Sequence, residues 1–398
     1  MSTPEKKFAR RRFLQASSVA AFATAHFASS TTPAKALVSL ARPQTIYQSP
    51  LKDFSIDAAQ FDSLLFTQAM YAEQKPAMTF EAKDERAARL WQKRVRRKIA
   101  ELVGGFPPSR VALQAKILET KDFKDYTREK IIFQSREQLA VFGYLLLPKN
   151  RPQPLPVVIC LPGHGRGCDD IVGIDEQGNQ RQTKPGYAYD FALQVVENGY
   201  AAFAIEQLAF GCRRDEAARK KGAGQSSCQP AAGAALLFGQ TMIGWRVWDV
   251  MRAIDYLQTR KEIDRQRIAT MGISGGGTIS LFAAALDERI KVSVVSGYFN
   301  TFRDSILSLS HCIDNYVPGI LNVIEMYDLA GLVAPRALFV ESGLKDPIFP
   351  IAGSHRAFKQ AQMIYQTFGV ADQLGREVFD DGHVFYGKGA FQFLKTNL

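Results

Sequence analysis

Ser274 stands in the run Gly272-Ile273-Ser274-Gly275-Gly276-Gly277, which fits the pattern G-x-S-x-G. The apolar stretch 267–271 precedes it and reads as a buried strand, while residues 278–286 follow and read as a helix. A serine on a sharp strand-to-helix turn presents its hydroxyl at the surface of the sheet. The helix start then points free N–H groups at any negative charge that develops beside it. The competing reading is an ordinary glycine-rich turn with a passive serine, and the serine's partners decide between the two.

A serine hydroxyl is a weak nucleophile until a neighbouring base takes its proton. Of the five histidines, His311, His355 and His383 follow Ser274, whereas His26 and His164 precede it. His383 closes the run Asp380-Asp381-Gly382-His383 just after the apolar pair Val378-Phe379. A short strand ending in a loop suits a base, and His383 is the expected one. His355 falls in a predicted helix and reads as solvated, and His311 belongs to an insertion. The strand Ala337-Leu338-Phe339-Val340 runs into a turn that carries Asp346, stiffened by Pro347. Asp346 is the expected acid that orients the imidazole, with Glu341 as the fallback. An oxyanion needs two donors. The N–H of Gly275 is one, and the loop Pro162-Gly163-His164-Gly165-Arg166-Gly167 is expected to supply the other from Arg166 or Gly165. His164 reads as shaping that loop. Metal ligation by His164 with Cys168 lacks a third and fourth ligand at zinc-like spacing, and neighbours such as His311, Cys312 and Asp314 seldom ligate one ion together. Neither metal nor cofactor is therefore expected.

These residues carry a resemblance. The blocks Leu161-Pro162-Gly163-His164-Gly165, Ala209-Phe210-Gly211, Gly244-Trp245-Arg246-Val247-Trp248-Asp249, Gly272 to Gly277, His311-Cys312-Ile313-Asp314-Asn315-Tyr316 and Asp346-Pro347-Ile348-Phe349-Pro350 resemble the α/β-hydrolase superfamily. Within it they are most similar to the acetyl-xylan-esterase-like and dienelactone-hydrolase-like branch of secreted bacterial esterases. The resemblance covers most of the chain from about Val111 and implies a metal-independent serine hydrolase acting on small-molecule or glycan esters. Fold alone does not fix function. A serine peptidase using the same triad and a noncatalytic binding protein on this scaffold stay open as alternatives.

The ends and the composition bound the rest. The chain has 398 residues, 46% hydrophobic and 22% charged, enough for one large α/β core. Residues 9–15 resemble a twin-arginine export signal, with Arg10 and Arg11 as the pair. A weakly apolar region and Ala34-Lys35-Ala36 follow, so cleavage is expected after Ala36, with delivery to the periplasm or beyond by the twin-arginine machinery. An uncleaved anchor is the runner-up, because the apolar run falls short of the roughly 20 residues of a membrane span. Net charge is +11 and drops to near +6 without the leader. Lys93-Arg94-Val95-Arg96-Arg97-Lys98 sits among Trp91, Val95, Ile99 and Leu102 at helical spacing, so the charges read as a wet helix face rather than a nucleic-acid site. Five cysteines cannot all pair. Cys212 and Cys228 bracket a polar loop and are the pair an oxidising compartment would join, with free thiols the simpler reading.

The positioning elements follow from periodicity. Residues 37–110 form an expected N-terminal helical extension, broken near Pro76, and residues 111–398 the catalytic domain. Three strand-like runs come first, between Val111 and Pro148. Strands and helices then alternate, as a mostly parallel sheet flanked by helices demands. Residues 187–198, 239–259 and 275–286 are expected helices, and Ile243, Val247, Val250, Ile254 and Leu257 form one apolar stripe of the second. Two insertions, 208–238 and 297–332, leave the strand ends where ligands bind in open sheets. Arg213, Arg214 and Tyr316 within them are candidate substrate contacts. Glu206 and Gln207 are expected either to line the pocket or to satisfy loop backbone.

Overall fold

The computed structural model describes residues 57–184 and 186–398. The export signal and its cleavage site lie outside them. Among the described residues nine strands form one sheet: β1 (Lys116–Asp122), β2 (Tyr126–Arg136), β3 (Leu139–Pro148), β4 (Leu155–Leu161), β5 (Ala201–Ile205), β6 (Ile263–Ile273), β7 (Ile290–Ser296), β8 (Ala337–Gly343) and β9 (Leu374–Phe379). Their spatial order is β1-β2-β3-β5-β4-β6-β7-β8-β9. The first three strands and the β3–β5 pair are antiparallel, and every pairing from β5 through β9 is parallel. This is the α/β-hydrolase architecture expected from the sequence. β1 is exposed at every position and carries Lys116, Glu119, Lys121 and Asp122, charges that blunt an open edge.

The helices, in chain order, are α1 (Ser63–Glu73), α2 (Glu85–Leu102), α3 (Cys168–Ile171), α4 (Phe191–Glu197), α5 (Glu216–Lys220), α6 (Cys228–Leu237), α7 (Met242–Leu257), α8 (Gly275–Leu286), α9 (Asp328–Val333), α10 (Ile351–Thr367) and α11 (Lys388–Asn397). Among the described residues no helix is long and apolar enough to cross a membrane.

Alternation along the central strands divides the core into two layers. On β4, Val157, Ile159 and Leu161 face α2, α7, α8, α9 and α10, while Val158 and Cys160 face α3, α4 and α11. The stripe predicted on α7 is fully buried in the first layer, and Thr241 caps that helix by accepting the Gly244 N–H at 3.0 Å. The N-terminal pair of helices divides in role. α1 buries nothing, whereas α2 puts Ala88, Trp91, Val95 and Ile99 into the main core. Its basic run is not uniformly wet. Arg96 turns inward and donates to the carbonyls of Ala285 and Leu332, each at 3.0 Å, which ties α2 to the ends of α8 and α9.

Candidate active site

Ser274, the candidate nucleophile, stands at the junction of β6 and α8. Ser274 has φ 57° and ψ −125°, a conformation that L residues rarely adopt. Its N–H donates to Ser296 O at 3.0 Å, so the strained residue is tied to the tip of β7. The turn leaves no room for side chains beside it. A Cβ at Gly276 would lie 1.9 Å from Leu161 O, and one at Gly272 would lie 2.3 Å from Gly276 O. Gly275 opens α8, so its N–H belongs to the first helical turn, which has no intrahelical acceptor.

The histidine and the acid come from the last two strands. His383 follows β9, and its Nδ1 donates to Asp346 Oδ2 at 2.7 Å. Asp346 follows β8 and is itself fixed: its Oδ1 accepts the N–H groups of Ile348 at 2.8 Å and Phe349 at 3.0 Å. The two side chains are 14% and 2% exposed, so the pair works in a largely dry setting. His383 Nε2 is buried and has no hydrogen-bond partner among the described residues. The ring lies between Tyr187 and Phe349, with centroids 5.8 and 5.7 Å away and both near parallel to it. It reaches back over the end of β7, where a Cβ at Gly297 would come within 2.9 Å of its Cε1.

Glu341, the fallback acid, does other work. It is fully buried on β8 and accepts the Gly387 N–H at 2.6 Å, ahead of α11. Burial pushes its carboxyl up to about 7.

The loop after β4 corrects one expectation. The Arg166 N–H is not free for an oxyanion, because it donates to Asp170 Oδ2 at 2.8 Å. The Arg166 guanidinium also holds Asp170 and the Ile174 carbonyl. Among the described residues the N–H groups of His164 and Gly165 make no hydrogen bond. The position of this loop is set by Tyr187, which donates to His164 O at 2.6 Å, and by Gln207, which donates to Pro162 O. Glu206 takes the second of its two expected roles, satisfying loop backbone. Its Oε1 accepts the Cys168 N–H at 3.1 Å, and its carboxylate fills the space where Cβ atoms at Gly167 and Gly211 would sit 1.9 Å away. Burial raises that carboxyl to about 8.

The candidate substrate contacts fare differently. Arg213 is a buried strut: it donates to Asp249 Oδ2 at 2.7 Å and to Glu206 O at 3.0 Å, with its side chain 6% exposed. Arg214 braces its own insertion by donating to the carbonyls of Gly211, Gly222 and Gln225. Tyr316 is exposed, donates to Ile306 O at 3.2 Å, and lines a pocket with Phe302 and Val317. A cleft of about 900 Å³ is lined by Tyr71, Arg303, Asp304, Glu325 and Arg356 and includes none of Ser274, Asp346 and His383. A smaller hollow of about 60 Å³ follows the loop itself, along Pro162, Gly163, His164 and Tyr187.

A second cluster adjoins the nucleophile. His164, Cys228, Cys312 and Asp314 bring their donor atoms within 4.8 Å of one another. The Cys228 thiol donates to Asp314 Oδ2 at 3.2 Å, and Arg246 donates to the same oxygen at 2.6 Å. Burial alone would raise Asp314, but Arg246 and then His164 outweigh it and hold the carboxyl at about 2. Cys212 and Cys228 are not joined. All five cysteines are free, and Cys228 lies beside Cys312. Cys168 turns its thiol to Ala204 O, in the core layer of Val158 and Cys160. His311 also stays outside the cluster and packs on Phe349.

Sheet order, elbow and histidine–carboxylate pair together define an α/β-hydrolase. The chain belongs to the Abhydrolase family, whose model matches residues 55–362. It is 26% identical over 286 residues, 70% of this chain and 89% of the other, to "Putative hydrolase YtaP" of Bacillus subtilis (strain 168). Among solved structures it is similar to one titled a "putative acetyl xylan esterase" from Bacteroides fragilis. The TM-score is 0.68 at 20% identity, covering 80% of this chain and 82% of that one. It is also similar to a glucuronoyl esterase from Solibacter usitatus, with TM-score 0.59 at 16% identity over 81% of this chain and 99% of that one. At these identities the structures speak to the fold.

Proposed function

We propose that the protein is a serine hydrolase of carboxylic esters, exported by the twin-arginine route and acting on acetylated polysaccharide fragments in the periplasm or beyond. One observation carries the catalytic part: a buried imidazole whose Nδ1 is given to Asp346 and whose Nε2 has no partner among the described residues, set at the same sheet edge as a strained serine. In this reading His383 Nε2 takes the proton of Ser274 Oγ as the oxygen attacks the ester carbonyl. The N–H of Gly275, with one from His164 or Gly165, holds the oxyanion. His383 then gives its proton to the departing alcohol. Water attacks the acyl-enzyme by the same relay in reverse and releases the acid. Asp346 keeps the imidazole in the tautomer that has its lone pair at Nε2. The glycan class rests on the names of the similar esterases and on the export signal.

The test is hydrolysis of p-nitrophenyl acetate, butyrate and octanoate by the protein and by Ser274→Ala. Acetate turnover that disappears in the variant supports the reading and leads to acetylated xylo-oligosaccharides. A folded protein inactive on every ester would refute it and favour peptide amides or noncatalytic binding. Cell fractionation of the chain with Arg10 and Arg11 changed to lysine tests the export route, which predicts retention in the cytoplasm.

A further inference from the structure

We infer that His164, Cys228, Cys312 and Asp314 form a structural zinc site that fastens the oxyanion loop to both insertions. The four groups arrive from three places: the loop after β4, the start of α6 and the segment ahead of α9. Zinc bonds of about 2.0–2.3 Å in a tetrahedron require ligand-to-ligand edges of about 3.3–3.8 Å. The Cys228–Asp314, His164–Asp314 and His164–Cys228 donor separations are 3.2, 3.7 and 3.8 Å. Cys312, half-buried and within 4.8 Å of the others, completes the shell by drawing in by about 1 Å.

The surroundings fit that ion. Two thiolates, one carboxylate and a neutral imidazole around a divalent cation leave one negative charge. Arg246, fully buried, lies beside it and donates to Asp314 Oδ2 and to Cys228 Sγ at 3.4 Å. Arg246 thus serves as the charge-balancing outer partner of two ligands, a common arrangement around bound metals. Its guanidinium is in turn held over the Phe210 ring, 4.3 Å from the centroid. Binding releases the protons of the two thiols to solvent. Four protein ligands close the shell, so the ion stabilises rather than activates water. What it stabilises is specific: His164 offers its Nε2 to the cluster while the rest of its ring packs beside Gly275, where a Cβ would lie 3.7 Å from its Nδ1. This departs from the metal-free expectation drawn from sequence spacing.

The experiment is zinc content by mass spectrometry after incubation of the full-length protein with zinc chloride and gel filtration. About one zinc per chain is expected, and close to none in Cys228→Ser/Cys312→Ser. Cobalt substituted into the metal-free protein should show the thiolate charge-transfer band and the intense visible bands of a tetrahedral site, again lost in the double variant. Circular dichroism confirms that the variant is folded, and His164→Ala supplies a second variant that retains both thiols. Zinc content no higher than in the variants, or a Cys228–Cys312 disulfide in the peptide map of unreduced protein, overturns the site. Metal content is read independently of ester turnover, so failure of the esterase reading leaves this result standing.

Discussion

Replacing Asp346 by asparagine asks whether the hydrogen-bond pattern around that carboxylate dictates catalysis. The Asp346 Oδ1 position faces two backbone donors, the N–H groups of Ile348 and Phe349. An asparagine must place either its oxygen or its NH2 group there. Placing NH2 against the two buried donors leaves both unsatisfied, at about 1–3 kcal/mol each. Placing oxygen there preserves both bonds and turns NH2 toward His383 Nδ1. The imidazole relieves that clash by moving its own proton to Nε2. The second arrangement wins, and it removes the lone pair that should accept the Ser274 proton. The expected loss in kcat is on the order of 10⁴-fold, about 5.4 kcal/mol of transition-state stabilisation. KM and the melting temperature should barely change, because the fold keeps every backbone bond. The assay is steady-state hydrolysis of p-nitrophenyl acetate near neutral pH beside a thermal melt. A variant that melts like the parent yet keeps kcat within about tenfold would refute the orienting role.

Glu341→Gln should change the pH profile of stability while sparing the triad. The folded carboxyl keeps its proton up to about 7, whereas the unfolded one loses it near 4.5. The native state therefore binds more protons between those values, and this group's contribution falls as pH rises through that window. The glutamine variant should gain on the parent by up to roughly 3 kcal/mol between pH 5 and 8 in urea unfolding; a difference independent of pH would contradict the assignment. Arg213→Met leaves Asp249 buried without its ion partner and should cost about 3–5 kcal/mol in unfolding free energy, with kcat/KM per folded molecule unchanged. A large loss of kcat/KM at undiminished stability would restore Arg213 as a substrate contact.

What could be read from the sequence was local. The elbow, the strand before Asp346 and the strand before His383 announce themselves within a few residues, and the structure joins Asp346 to His383 as expected. The contact that occupies the Arg166 N–H has a visible signal in the sequence: Asp170 stands four residues beyond Arg166 at the start of a helix, where a carboxylate turns back on the preceding N–H. The helix expected from residue 187 begins only at Phe191. Tyr189 and Asp190 take positive φ, and the freed turn lets the Tyr187 ring reach His383. Arg213 and the thiol cluster were not legible for a different reason. Asp249 lies 36 residues from Arg213, and Cys228 lies 64 from His164 and 86 from Asp314. Such pairings exist only once the sheet has set the loops side by side.

The burial of α2 has a practical consequence for any truncated version of this enzyme. A fragment starting at Val111 would look like a whole catalytic domain by alternation of strands and helices, yet it would lack Trp91, Val95 and Ile99 from the main core. It would also lose Gln92, whose amide caps the carbonyls of Gly331 and Ala334. An uncovered apolar trough would then run along α8 and α9, the helices behind the nucleophile and the rim. Expression boundaries, protease-resistant cores and domain fusions for this chain should therefore begin ahead of Asp84, which caps α2.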